Sequence, residues 1–235
     1  MQQTLTSYFM QTVADITIYS IPGFSEPVSS LTHLGGAAVF ALLSIGLLRR
    51  GWGNTGRVAA LAVFAFTSVF LLAVSGVYHL LTPGYLGWMV MRRLDHAAIF
   101  GLIAGTFTPV YAILFHGVER WATLVFVWSV AAAGITLKTI FFANVPQGLG
   151  IAVYLGFGWV GLYSGTLLAL RHGIRFIVPL ACGGAAYTAG AILEFLQWPN
   201  PLAGIIGPHE LFHLFVLAGV GCHWRFMWNF AALKG

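Results

Sequence analysis

The sequence predicts an all-α integral membrane protein, a bundle of seven transmembrane helices, and three observations carry that expectation. Hydrophobic residues fill 59% of the 235 positions and charged residues only 7%, against roughly 25% charged in a soluble domain. Apolar runs of about 18 residues or more with few charges, long enough to cross a bilayer, recur along the chain. The segments between them are short, which favours one compact helical bundle.

The runs fall at roughly Leu31 to Leu48, Val58 to Leu81, Leu94 to Phe115, Trp121 to Phe142, Leu149 to Leu170, Phe176 to Leu196 and His209 to Phe230. Residues 31–230 therefore form the membrane domain, and 231–235 a short tail. Residues 1–30 carry Asp15 and Glu26 but no Lys or Arg, so they lack the basic start of a secretory signal and are expected to be retained. They read as an interfacial or flexible segment ahead of the first helix. Cys182 and Cys222 have no metal-type spacing and read as buried small hydrophobes. The net charge of +5 and pI near 9.5 come with most arginines at helix ends, a membrane-edge pattern that excludes a nucleic-acid footprint.

Helix parity sorts the polar residues between leaflets. Asp15, Glu26, Asp95, Glu194 and Glu210 fall on the side of the N-terminus, leaving Glu119 opposite. Arg49, Arg50, Arg57, Arg120, Arg171, Arg175, Arg225 and Lys234 fall on the far side, against Arg92, Arg93 and Lys138 on the acidic one. The positive-inside rule places the base-rich side in the cytoplasm. His33, His79, His96, His209 and His213 share the acidic leaflet; His116, His172 and His223 lie at least ~20 Å away by helical rise.

In "GPHELFHLFVLAG", His209 and His213 stand four apart, so their rings share one helix face with a spacing that suits a single ion. Packing or helix capping is the plainer alternative, but ionisable groups inside membranes are costly and usually functional. A catalytic zinc takes three protein ligands, so a third must come from another helix at the same depth, and His79 at the end of "SGVYHLL" is the best placed. Ser75, one turn deeper, either bonds a ligand, water or substrate or returns its hydroxyl to its own i−4 carbonyl. In "RRLDHAAIFG", Asp95 and His96 point about 100° apart, so one of them faces the centre; Asp95 is favoured, as a proton acceptor, or it caps the third helix. Lys138 reads as a snorkelling residue near an interface. The stretch HELFH is also H-E-x-x-H, in which Glu210 would serve as a metalloprotease base, although the chain offers no LDG-like second motif. Helix seven has no lysine for a retinal Schiff base before its end, and nothing in the chain supplies a mechanism for a lytic pore.

"EPVSSLTHLGGA", "SGVYHLL", "RRLDHAAIFGLIAGTFTPV" and "HELFHLFVLAGVGCHW" together resemble the progestin and adipoQ receptor family, which includes adiponectin receptors, and most closely its bacterial hemolysin III-like branch. The resemblance covers nearly the whole bundle. It implies a seven-helix fold in a bacterial inner membrane, with Zn2+ held near one leaflet by His79, His209 and His213 and with Asp95 and Ser75 around a metal-bound water. Glu210 has no ligand role in that motif. Through related alkaline ceramidases it implies hydrolysis of a lipid amide or ester, with a membrane lipid as substrate or ligand; the alternatives are a non-enzymatic receptor or sensor with structural zinc, and an intramembrane metalloprotease. The chain departs from the family at Ser29, where asparagine is common. The family also implies a cytoplasmic zinc site, opposite to the side given by the charge bias.

Overall fold

The computed structural model describes residues 18–142 and 146–232. The segment 1–17, which holds most of the interfacial stretch expected before the first helix, lies outside the described residues, as do 233–235 of the tail. Helices account for nearly all the rest: α1 Pro27–Arg50, α2 Thr55–Leu80, α3 Leu86–Leu114, α4 Gly117–Ile140, α5 Gln147–Trp159, α6 Gly161–His172, α7 Ile174–Leu196 and α8 Pro208–Phe230.

Local chemistry sets several of these ends. Pro27 and Pro208 open α1 and α8 at the first helical position, where a missing N–H costs nothing. The Asn54 side chain accepts the Arg57 N–H at 3.0 Å and starts α2. Arg49 and Arg50 close α1 at the end where the helix dipole favours cations. Two starts differ from the hydrophobicity reading: α1 begins at Pro27 rather than near Leu31, and α3 at Leu86, well before Leu94. Ser29 and Ser30 in the first turn of α1, and Arg92 and Arg93 after the apolar first turns of α3, break the hydropathy of each run. The fifth apolar run is divided at Val160 into α5 and α6, although Val160 keeps helical dihedrals.

Six stretches are long and apolar enough to cross a membrane: α1, α2, α3, α4, residues 148–172 across α5 and α6, and α7. The 23-residue α8 is not among them; its His209, Glu210, His213, His223 and Arg225 dilute an otherwise apolar helix. It packs inside the bundle nonetheless, against α7 and α1 and touching α3. Leu42, Phe66, Val125, Leu162 and Leu170 are more than 60% exposed on the outside, an apolar surface that suits lipid rather than water. Cys182 is exposed among them and Cys222 half-buried, so neither is the buried residue expected.

One core layer joins Leu47, Phe64, Tyr111, Phe115, Phe226 and Phe230. A second joins Ala37, Phe40, Leu72, Leu102, Val216 and Val220. Close packing depends on two glycines. A Cβ on Gly76 would stand 2.9 Å from the Leu34 backbone nitrogen, so only glycine lets α1 and α2 approach there, and Ser30 Oγ spans the contact by donating to the Gly76 carbonyl at 2.8 Å. A Cβ on Gly105 would stand 2.9 Å from Thr67 Cβ, so Gly105 joins α3 to α2, whereas nothing lies within 4 Å of such an atom on Gly101.

Candidate metal centre

The chain before α1 builds the first part of the site. The Tyr19 N–H donates to the Gly204 carbonyl at 2.7 Å, in the loop that leads to α8. Further on, the N–H groups of Ser25 and Glu26 donate to the Leu80 and His79 carbonyls at 3.3 and 2.9 Å, satisfying acceptors that the end of α2 would otherwise leave unpaired. Residues 19–26 thus tie the end of α2 to the approach of α8, and they deliver the Glu26 carboxylate beside His79.

His79, on the last turn of α2, and His209 and His213, on the first turns of α8, meet there. One nitrogen from each lies within 4.8 Å of the other two, an arrangement able to hold a metal ion. His79 Nε2 is 3.4 Å from His209 Nε2, which is 3.1 Å from His213 Nε2. Nitrogens bound tetrahedrally at about 2.0–2.1 Å stand ~3.3 Å apart, so the spacing fits a zinc-sized cation.

The outer hydrogen bonds explain why a cation is wanted. His79 Nδ1–H donates to Glu26 Oε2 at 2.7 Å and His209 Nδ1–H to Glu194 Oε2 at 3.2 Å. A neutral imidazole that donates from Nδ1 has a bare lone pair on Nε2. The two Nε2 atoms stand 3.4 Å apart, close enough for one cation or a shared proton to lie between them. Burial works to raise the Glu26 pKa, but its hydrogen bond to His79 and the electrostatic attraction of the His79 and His209 rings outweigh that, and the carboxyl sits below its ordinary range. It is therefore ionised at neutral pH, as a carboxylate that orients a metal ligand must be.

His213 is held differently. Its ring stacks on His33 of α1 at 3.9 Å between centroids, and His33 Nε2–H donates to the His213 carbonyl at 3.2 Å. Its Nδ1 is buried without a hydrogen bond among the described residues. His79 is 2% exposed at its side chain and His209 37%, so the centre opens toward solvent on the His209 side.

The remaining candidate residues lie around this group. Ser75 is buried on α2 one turn below His79. Thr67 and Thr106 return their hydroxyls to i−4 carbonyls, but Ser75 makes no hydrogen bond among the described residues. Asp95 is not a helix cap, because α3 starts at Leu86 with Tyr85 at the cap position. Its side chain is 17% exposed, and its Oδ2 lies 3.6 Å from His96 Nδ1. His96 turns away from the trio: its Nδ1–H donates to the Arg92 carbonyl at 2.8 Å and its ring meets Phe142 edge-on.

Glu210 is 1% exposed and fully engaged. Oε2 accepts the Gly207 N–H at 2.9 Å, capping α8, and Oε1 accepts the Ser29 hydroxyl at 3.0 Å, tying α8 to α1. Glu26, Glu194 and His33 are the members that spacing alone did not single out. Parity placed all three in the right leaflet, but nothing in the sequence pairs them with particular imidazoles.

The profile of the haemolysin-III related family matches residues 24–224, which span both ends of this site. The chain belongs to that family. It is 31% identical over 197 residues to the "Hemolysin-3 homolog" of Bacillus subtilis (strain 168), covering 83% of this chain and 88% of the relative. It is 30% identical over 199 residues to "Hemolysin-3" of Bacillus cereus, covering 83% and 86%.

Proposed function

We propose that the chain is a zinc-dependent hydrolase of a bacterial inner membrane, acting on an amide or ester bond in a lipid by ceramidase-like chemistry. The observation that carries this reading is the set of imidazoles at His79, His209 and His213, whose Nε2 atoms stand 3.4 and 3.1 Å apart. Only these three residues form such a group among the described residues, and three protein ligands with an open fourth position are typical of catalytic rather than structural zinc. The resemblance of the sequence to adiponectin receptors and, through them, to alkaline ceramidases supports the lipid as substrate. α8 is read as a seventh span from its 23 residues and its packing against α7 and α1 within the bundle. The seven-helix domain covers residues 31–230, flanked by the N-terminal segment and the short tail.

Zinc in this position supplies Lewis acidity toward a carbonyl and makes water acidic enough to ionise near neutral pH. Glu26 and Glu194 keep the His79 and His209 rings oriented with Nε2 toward the centre. Asp95 takes the proton from the attacking water; it stands outside the ligand set, with its Oδ2 3.6 Å from His96 Nδ1. Ser75, with its hydroxyl uncommitted, donates to the oxygen on which charge develops. Both Glu210 oxygens already accept hydrogen bonds, which argues against this residue as the base of a metalloprotease.

The test is turnover of lipid amides and esters by purified, zinc-loaded protein. Wild type is expected to release fatty acid and Asp95→Asn to lose at least ~100-fold, the range for general-base removal. Equal turnover by the two would remove Asp95 from the chemistry. A metal-loaded wild type inert toward every amide and ester tried would favour the receptor or sensor with structural zinc.

A further inference from the structure

Lys138, near the end of α4, is only 6% exposed. It has no ion pair and no hydrogen bond among the described residues. Its Nζ lies instead 5.5 Å from the centroid of the Phe142 ring and 5.8 Å from that of Tyr154. A second cation shares Phe142: Arg92 Cζ stands 4.9 Å from its centroid and 5.2 Å from that of Trp88. Room for the ammonium comes from α5, where a Cβ on Gly150 would stand 2.9 Å from Nζ. Arg93 beside them is occupied, donating to the Thr139 carbonyl at 2.8 Å.

Two cations therefore converge on one aromatic ring, and among the described residues neither has an ion pair. A desolvated charge without a counter-ion is costly in a membrane protein, and aromatic faces offset only part of that cost. An anion is the missing partner. The surface around it identifies the source: Met89, Leu137, Ile140 and Phe141 are 45%, 50%, 62% and 50% exposed at the same edge. Apolar surface beside a basic and aromatic cluster at the membrane boundary is the setting for a lipid whose chains lie along the helices while its headgroup meets the cations.

We propose that Arg92 and Lys138 form a binding site for the phosphate group of an anionic membrane lipid, apart from the His79, His209 and His213 centre. Arg92 reaches the phosphate from the exposed side, and Lys138 meets it from within, against Phe142 and Tyr154. Recognition at this site does not depend on what reaction the metal centre performs.

The test is native mass spectrometry of the full-length protein titrated with phosphatidylglycerol and with phosphatidylcholine of the same acyl chains. Wild type is expected to prefer phosphatidylglycerol at least ~10-fold, and Lys138→Met with Arg92→Gln to bind the two lipids about equally. Lys138→Arg and a far-side control, Arg120→Gln, should keep the wild-type preference, and metal content should be the same in all. Arg92→Gln alone, at an exposed position where folding is not at stake, should lower the preference several-fold if the buried variant fails to fold. No preference in wild type, or an unchanged preference in Arg92→Gln, overturns the proposal. Displacement of bound phosphatidylglycerol by millimolar inorganic phosphate assigns the site to the free ion and overturns its lipid source.

Discussion

Replacing Glu26 by alanine removes the carboxylate that orients His79 without touching a ligand. The bond it deletes is short, 2.7 Å, and charge-assisted, and it leaves Nδ1–H on a side chain only 2% exposed. Loss of such an outer partner costs about 10–100-fold in metal affinity, or about 1.4–2.8 kcal/mol. The length and burial of this bond put Glu26→Ala toward the upper end. Glu194→Ala belongs at the lower end, because its bond to His209 is longer, 3.2 Å, and that imidazole is 37% exposed, so water can take the carboxylate's place. Glu26→Gln retains a neutral acceptor and falls between wild type and the alanine variant. Competition against a chromophoric chelator, with metal content by mass spectrometry and circular dichroism of each metal-free variant, measures all three. A Glu26→Ala protein that binds zinc within twofold of wild type would refute the orienting role. A larger loss from Glu194→Ala than from Glu26→Ala would refute the ranking by bond length and burial.

Glu210→Ala strips the partner from the buried Gly207 N–H and Ser29 hydroxyl and should destabilise by about 1–3 kcal/mol, read as a lowered melting temperature, while turnover per metal-loaded molecule persists. If the variant instead loses cleavage of a membrane peptide that wild type cuts, Glu210 is a base and the protease reading prevails. Gly76→Val should cost about 1–3 kcal/mol by forcing α1 and α2 apart where a Cβ would stand 2.9 Å from the Leu34 nitrogen; an unchanged thermal melt would mean that the contact is not close in solution. Reporters at the N-terminus and at Gly235 should lie on opposite sides of the membrane, and a shared side would remove α8 from the spans. A cytoplasmic Gly235 would agree with the charge bias and contradict a cytoplasmic metal centre.

His79 was legible as a partner of the α8 histidines because counting apolar runs puts both helix ends on one side, and His209 and His213 were legible as a pair because a helix repeats its face every three to four residues. What faces what across helices was not. Glu26 reaches His79 only because backbone bonds carry residues 19–26 over the end of α2, a path that no periodicity encodes. A cap stayed open as the alternative role of Asp95 because hydropathy starts the third helix near Leu94, whereas the helix begins at Leu86 and Arg92 and Arg93 only interrupt its apolar run. Lys138 read as a snorkelling residue, since a sequence shows a cation near an edge but not the two rings and the glycine that enclose it.

The distribution of polar groups also constrains what the centre can reach. Ionisable residues at the middle of a span would each carry a large insertion cost, yet His79, His209, Glu194 and Glu210 stand within the terminal turns of α2, α7 and α8, and His209 meets solvent. Water and protons therefore arrive without crossing the bundle, whose two core layers are apolar. Under the proposed function, a lipid would present its amide or ester near these helix ends without leaving the bilayer, its chains along the exposed apolar surface of the bundle. A soluble peptide would have to be drawn down to the same level, with its backbone N–H and C=O groups desolvated on the way. That difference in cost is the physical ground for preferring a lipid over a polypeptide at this site.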